Sequence, residues 1–232
     1  MTQDQARLLT DLAAALHEER VEEPTVRTVL LQARHVVPDA EHASITVRAR
    51  RQQFLTLGSS SQTASEADAL QYTLKEGRCV EAATEGGWLR SGDVSTDPRW
   101  PRWGPEAGRL GVRSLLSVRL ISRGEPFGAI NLYSTVDGRF HDADEVDRAL
   151  LWTTHVTNAL TAAQQVSGLE TALASRHLIG MAQGIVMQQF GLTEDQSFSL
   201  LCRLSSHRNE KLRVVAADIV RTGKLPSSRK AR

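Results

Sequence analysis

The chain is poor in the residues that build covalent or metal frameworks. Only two cysteines, Cys79 and Cys202, occur in 232 residues, far apart and without CxxC or Cys/His spacing, so neither a disulfide framework nor a zinc site is indicated. No run approaches the roughly 18 uncharged apolar residues of a spanning helix. The opening MTQDQARLLTD also lacks the basic-then-apolar order of a signal peptide. No membrane partner is expected, and a cytoplasmic location is. The motifs of several catalytic classes are missing too: there is no GxxxxGK[ST] or GxGxxG phosphate cradle, no HExxH and no GxSxG elbow. Cys79 stands in EGRCVEA with no His or second Cys beside it and reads as a plain buried or loop cysteine. The carboxylates of DADEVD (142–147) read as an acidic helix start rather than an acid/base pair. An enzyme is therefore the weaker class, with no catalytic residue, no metal site and no cofactor expected.

A strong charge of one sign is lacking as well, since the net charge is only +1, with 41% hydrophobic and 24% charged residues, as in an ordinary globular chain. That balance hides an asymmetry. Residues 169–232 hold 10 Lys and Arg against 5 Asp and Glu, and residues 1–168 hold 18 against 22. Residues 169–220 carry 5 of each sign, so the C-terminal excess comes from Arg221, Lys224, Arg229, Lys230 and Arg232. Such a tail suits a polyanion or simply solvates a terminus.

What is present is a change of period. Leu8, Leu9, Leu12, Ala13 and Leu16 recur at helical spacing, as do Val26, Val29, Leu30, Ala33 and Val37 behind Pro24, with Pro38 closing that helix. Short strand-like runs follow at 43–49, 53–59, 88–94, 114–122 and 126–134, the last two joined by Arg123-Gly124-Glu125 as a hairpin. SEADALQYTL reads as a short helix, and TDPRWPRWGPEAGRLGV, with three prolines and three glycines, as a loop holding at most one helical turn. Asp142 and Glu145 have capping-box spacing, and Val146, Leu150, Thr153, Val156 and Leu160 continue a long helix. Helices bracketing an antiparallel meander give an α+β domain ending near residue 166, with Ser167-Gly168 either a hinge or a weak point in a continuous helix. Three helices then form an all-α bundle. The first, 169–190, ends at Gly191. The second opens with Thr193-Glu194-Asp195-Gln196, another capping box, and carries Phe198, Leu201 and Leu204 on one stripe. The third, capped by Asn209, carries Leu212, Val215, Ala216, Ile219 and Val220 before Gly223.

Two faces stand out. At 100° per residue, Leu169, Leu173, Gly180, Gly184 and Met187 fall on one side of helix 169–190, with Leu178, Ile179, Ala182, Ile185 and Val186 on the other. A helix apolar all round needs cover on both sides, and a homodimer with Gly180 and Gly184 at a close helix crossing is expected. In the meander, Leu116, Val118, Leu120, Ile130 and Leu132 form an apolar face, while Leu115, Ser117, Arg119, Ala129, Asn131 and Tyr133 form a mixed one. A mixed face of this kind lines a small-molecule cavity or is merely solvated. Trp88, Trp100 and Trp103 lie in or beside loops placed to close over it. The candidate ligand contacts are Trp100, Trp103, Ser117, Asn131 and Tyr133.

Two resemblances follow from longer segments. GRCVEAATEGGWLRSGDVSTDPRWPRWGPEAGRLGVRSLLSVRLISRGEPFGAINLYS, with its flanking helices, resembles a GAF domain, a ligand-sensing α+β fold with an antiparallel sheet. Residues 169–223, through AQGIVMQQFGLTEDQSFSLLCRLSSH and NEKLRVVAADIV, resemble an ANTAR domain, an RNA-binding output module of transcription antitermination regulators. The order is that of actinobacterial GAF-ANTAR regulators. The implied division is 1–166 sensory domain, 167–223 ANTAR domain and 224–232 basic tail. The implied partners are RNA stem-loops in nascent transcripts and an unidentified small molecule. The donors available to RNA are Arg203, His207, Arg208, Lys211 and Arg213, with Arg176 and Gln183 on the preceding helix.

The chain departs from the families in places. Ala182-Gln183-Gly184 stands where ANTAR helices often show AKG, and Val214 where an acidic residue is common. The cyclic-nucleotide GAF signature is half present, because Asn131 is followed by Leu132 although Phe140, Asp144 and Glu145 match. GAF-type methionine sulfoxide reductases use several cysteines, against Cys79 alone here. A different class stays open: a GAF sensor whose C-terminal helices only dimerise or dock on a protein.

Overall fold

Residues 3–18, 22–48, 54–77 and 87–225 are described by the structure, a computed structural model. Cys79 and the segment 226–232 of the basic tail lie outside them. The chain divides into two compact units, Met1–Val166 and Ser167–Arg232.

In the first unit the helical periods become α1 (Gln3–Glu18) and α2 (Glu22–Val36), and the alternating runs become β1 (His42–Arg48) and β2 (Phe54–Ser59). Acidic Glu22 and Glu23 at the start of α2 and Arg34 and His35 at its end complement the helix dipole. After α3 (Gln62–Leu74) come β3 (Trp88–Ser91), α4 (Trp103–Arg109), β4 (Ser114–Ser122) and β5 (Glu125–Ser134). All pairings are antiparallel, in the order β2-β1-β5-β4-β3. The β4–β5 turn is the two residues Arg123 and Gly124, with φ of 54° and 82°. Positive φ at both central positions is what the right-handed twist of a two-residue hairpin requires.

Each sheet face has its own core. On one side α1, α2 and the start of α5 (Ala143–Phe190) cover Ile45, Leu116, Val118, Leu120, Ile130 and Leu132, with Trp152 and Phe140 fully buried among them. A polar chain ties these helices together, for Trp152 Nε1 donates to Gln32 Oε1 at 3.1 Å and Gln32 Nε2 donates to the carbonyl of Leu12 at 3.0 Å. On the other side α3 and α4 close over Leu115 and Tyr133.

Several local expectations change. The proline- and glycine-rich loop holds α4, seven residues rather than at most one turn. It forms there because Gly104 lets the backbone lie against the Val94 carbonyl, where a Cβ would stand 2.1 Å from that oxygen. The third strand stops at Ser91, short of the run to 94. The capping box of Asp142 and Glu145 is not made: Asp142 Oδ1 accepts from the Asp144 N–H, but Glu145 turns inward and accepts from the Asp39 N–H at 3.0 Å. Burial pushes the Glu145 carboxyl up against the pull of the Asp39 N–H, and the Asp39 carboxylate beside it also pushes it up. No break occurs at Ser167-Gly168, so the first helix of the bundle is the end of the 48-residue α5.

In the second unit, Ala182 and Val186 of α5 pack with Leu201 of α6 (Glu194–Arg208) and Val215, Ala216 and Ile219 of α7 (Leu212–Thr222). Thr193 and Gln196 form the expected capping box at α6. Asn209 does not cap α7. It sits at φ 51° as the left-handed end of α6, and Lys211 is the α7 N-cap, with no side-chain bond. Phe198 stays 44% exposed, off the buried stripe of Leu201.

Candidate functional sites: a buried carboxylate and a basic helical surface

Strand alternation places Ser44, Thr46, Ser117, Asn131 and Tyr133 on the sheet face under α3, and all five are buried. Asp68, in the middle of α3, has no exposed surface and points into them. Its Oδ1 accepts from the Tyr133 hydroxyl at 2.6 Å, Ser44 Oγ at 3.1 Å and Asn131 Nδ2 at 3.3 Å. Its Oδ2 accepts from Thr56 Oγ1 at 2.9 Å. A further layer fixes these donors: Gln71 Nε2 donates to the Tyr133 oxygen at 3.2 Å, and Ser117 Oγ donates to Asn131 Oδ1 at 2.7 Å. Burial pushes the Asp68 carboxyl above its ordinary range, against the pull of these hydrogen bonds.

Trp100 and Trp103 meet edge to face, with ring centroids 5.2 Å apart, in the same cluster as Tyr133. Trp103 Nε1 donates to the Ala67 carbonyl at 2.9 Å, whereas Trp100 Nε1 is buried with no partner among the described residues. The loop carrying them is pinned at both ends. Asp97 pairs with Arg99, whose guanidinium lies 4.8 Å from the Trp100 ring centroid. Burial alone would raise the Asp97 carboxyl, but hydrogen bonds from Arg99 and Ser91 outweigh it and bring it to about 2. At the other end Glu76 accepts from Arg102 at 2.6 Å and from the Trp103 N–H at 2.9 Å.

The structure thus brings Trp100, Trp103, Ser117, Asn131 and Tyr133 to one side of the sheet, with the polar atoms of Trp103, Ser117, Asn131 and Tyr133 bonded inside the protein. Trp88 stands apart on edge strand β3, paired with Val118 and 40% exposed. Asp68, Gln71, Ser44 and Thr56 were not among the sequence candidates. The signal that would have found Asp68 is its place between Ala64, Ala67 and Gln71, all buried on one face of α3.

The second unit presents the opposite arrangement. Gln196, Ser199, Arg203 and His207 recur every three or four residues along the exposed side of α6. Arg203 lines an open groove of about 460 Å³ with Leu192, Asp195, Gln196 and Ser199. Lys211 and Arg213 are exposed at the start of α7, and Arg176 is exposed on α5. Among the described residues Arg176, Arg203, Lys211 and Arg213 make no ion pair. Arg208 is different: it is half-buried and pairs with Glu210 at 3.1 Å. Gln183 is engaged inside the bundle, where its Nε2 donates to the Glu194 carbonyl at 3.4 Å.

On α5, Leu169 and Leu173 are each 71% exposed, and a Cβ at Gly180 or Gly184 would meet nothing within 4 Å. Among the described residues no three His, Cys, Asp or Glu side chains gather as metal ligands, and no helix is long and apolar enough to cross a membrane.

The chain thus joins an α+β unit, a sheet covered by helices on both faces, to a helical unit with exposed cations. The chain belongs to the GAF domain family, which matches residues 19–161, and residues 167–220 match the ANTAR domain family. The pairing is that of a regulator, a signal-sensing module followed by an RNA-binding one. No curated protein matches the chain.

Solved structures share the fold at low identity. The GAF domain of a phosphoenolpyruvate-protein phosphotransferase from Coxiella burnetii is 14% identical with a TM-score of 0.57, covering 71% of this chain and 96% of that one. Free methionine-R-sulfoxide reductase from Neisseria meningitidis is 15% identical with a TM-score of 0.51, covering 71% and 95%. The phytochrome photosensory core module of Stigmatella aurantiaca is 10% identical with a TM-score of 0.59, covering 91% of this chain and 45% of that one.

Proposed function

We propose that this chain is a signal-responsive regulator of the actinobacterial GAF-ANTAR kind, which binds stem-loops in nascent RNA and promotes transcription antitermination from the cytoplasm. The observation that carries this reading is the set of unpaired cations in the ANTAR unit. Lys211 and Arg213 stand at the first turn of α7, where cations oppose the helix dipole by about 0.3–1 kcal/mol each. Helix stability does not ask for them there, and a phosphate does. With Arg203 and His207 on α6 and Arg176 on α5 they offer donors to phosphates and unstacked loop bases. Arg208 and Gln183 are the weaker members, because Glu210 and the Glu194 carbonyl already hold them.

The mechanism needs no covalent step. RNA bound on α6 and α7 is held in one stem-loop arrangement, and a competing terminator hairpin cannot form from the same nucleotides. Input enters the GAF unit on the α3 side of the sheet, through Trp100, Trp103, Ser117, Asn131 and Tyr133, where an incoming small molecule has to rearrange the bonds around Asp68. The exposed Leu169, Leu173, Gly180 and Gly184 of α5 form the contact of a homodimer.

The test is an electrophoretic shift of the full chain with structured RNA and with duplex DNA of equal length. Preference for the RNA, lost in Arg203→Gln/Arg213→Gln, is expected. Equal binding to both, or none, favours the second reading, in which the C-terminal helices only dimerise or dock on a protein; the exposed leucines of α5 are the observation on its side.

A further inference from the structure

The donors around Asp68 have a fixed polarity. The Tyr133 oxygen already accepts from Gln71, so its single O–H is left for Asp68. Asn131 Oδ1 already accepts from Ser117, which turns the amide nitrogen toward Ser44 and Asp68. Thr56 Oγ1 lies 2.8 Å from the Tyr72 hydroxyl as well as 2.9 Å from Asp68 Oδ2. Four side-chain donors from β1, β2 and β5 meet the carboxylate, Ser44, Asn131 and Tyr133 on Oδ1 and Thr56 on Oδ2. None of the four is a cation. Three of them stand on the adjacent interior strands β1 and β5, and Asn131 is oriented by Ser117 of β4, which does not touch the carboxylate, so the direction of that amide does not depend on α3.

We propose that this side of the sheet is a carboxylate-binding site whose ligand is built into the chain, the side chain of Asp68 reaching in from α3. The class of molecule it takes in place of that side chain is a small carboxylate. Asp68 is both the occupant that closes the face and the tie that fastens α3 to β1, β2 and β5. The inference concerns the GAF unit alone and stands or falls independently of RNA binding.

The test is substitution with chemical rescue in the full chain. Asp68→Ala removes a group the size of formate, and Asp68→Gly one the size of acetate. Thermal unfolding of wild type and both variants is followed at neutral pH in sodium formate, sodium acetate and sodium chloride of equal ionic strength. With formate at about ten times its dissociation constant, the folding equilibrium constant of Asp68→Ala rises about tenfold over chloride, Asp68→Gly responds likewise to acetate, and wild type responds to neither. Equal gains in chloride, equal gains in wild type, or no gain in either variant overturn the proposal. Should the variants not fold in chloride, refolding from denaturant is expected in the carboxylate buffer only, and failure in both buffers counts against the site. Asp68→Asn supplies an independent readout: it keeps the shape but removes the charge and puts an amide N–H₂ where Thr56 donates, so it is expected to be destabilised and to gain nothing from formate. Wild-type stability in Asp68→Asn would mean that the cluster is packing, not carboxylate recognition.

Discussion

Asp68 and Arg203 both stand in the middle of a short helix, α3 and α6, and both are ionisable, yet their surroundings are opposite. Asp68 is enclosed by four donors aimed at it; Arg203 faces an open groove with no ion-pair partner among the described residues. The first arrangement consumes its charge inside the protein and holds a helix in place. The second leaves its charge available to something outside. Loss of Asp68 should therefore act on folding, and loss of Arg203 on binding, with little exchange between the two effects.

The largest effect is expected at the enclosed charge. Asp68→Ala leaves buried donors without an acceptor, each costing about 1–3 kcal/mol, and should destabilise the GAF unit by about 3 kcal/mol or more in urea unfolding. A loss below about 1 kcal/mol would erase the contrast with Arg203. Next comes the open surface. Lys211→Gln/Arg213→Gln should weaken RNA binding while leaving the melting temperature unchanged, since both side chains are exposed. At about −0.7 per phosphate contact on single-stranded regions, the slope of log affinity against log salt should become shallower by about 1.4 for the two. Binding lost on deletion of residues 224–232 but untouched in this double variant would transfer the role to the basic tail.

Gly184→Leu sharpens the comparison from a third direction. A Cβ at this glycine meets nothing within 4 Å among the described residues, so the variant should fold normally and lower the dimer fraction in sedimentation equilibrium. A wild type that stays monomeric at all concentrations removes the dimer.

The smallest effects are those of pH. Burial raises the Glu145 carboxyl, so its contribution is fully present below 4.5 and is lost as pH rises through the raised folded value. Glu145→Gln, which keeps an oxygen for the Asp39 N–H, should gain on wild type as pH rises above 4.5. Asp97 behaves in the reverse sense: its stabilisation, present above 3.8, fades as pH falls toward about 2. Tryptophan fluorescence should report release of the Trp100 loop over that interval in wild type and not in Asp97→Asn.

Periodicity made much of this legible. Strands 114–122 and 126–134, the Arg123-Gly124 turn and the Thr193 capping box depend on residues a few positions apart, and those local preferences agree with the fold. The misses have separate causes, one local and two in contacts made farther along the chain. Asn209 and Glu145 carry cap-like spacing, but Asn209 was needed as a left-handed helix end and Glu145 as an acceptor for Asp39, 106 residues away. α4 survives its proline and glycines because Gly104 fits against the Val94 carbonyl.

The sequence by itself determined where helix and strand periods lie, which strand face is apolar, and which segments resemble GAF and ANTAR domains. Tertiary structure alone decided that the mixed face of Ser117, Asn131 and Tyr133 would close on Asp68 instead of meeting solvent. The reason is physical: a carboxylate is far better solvated than buried, and only the placement of four donors from three strands around one helix position makes burial tolerable. The cations divide differently. Arg208 finds Glu210 two residues along the chain, a local pairing, whereas only the fold turns Arg203 toward an open groove.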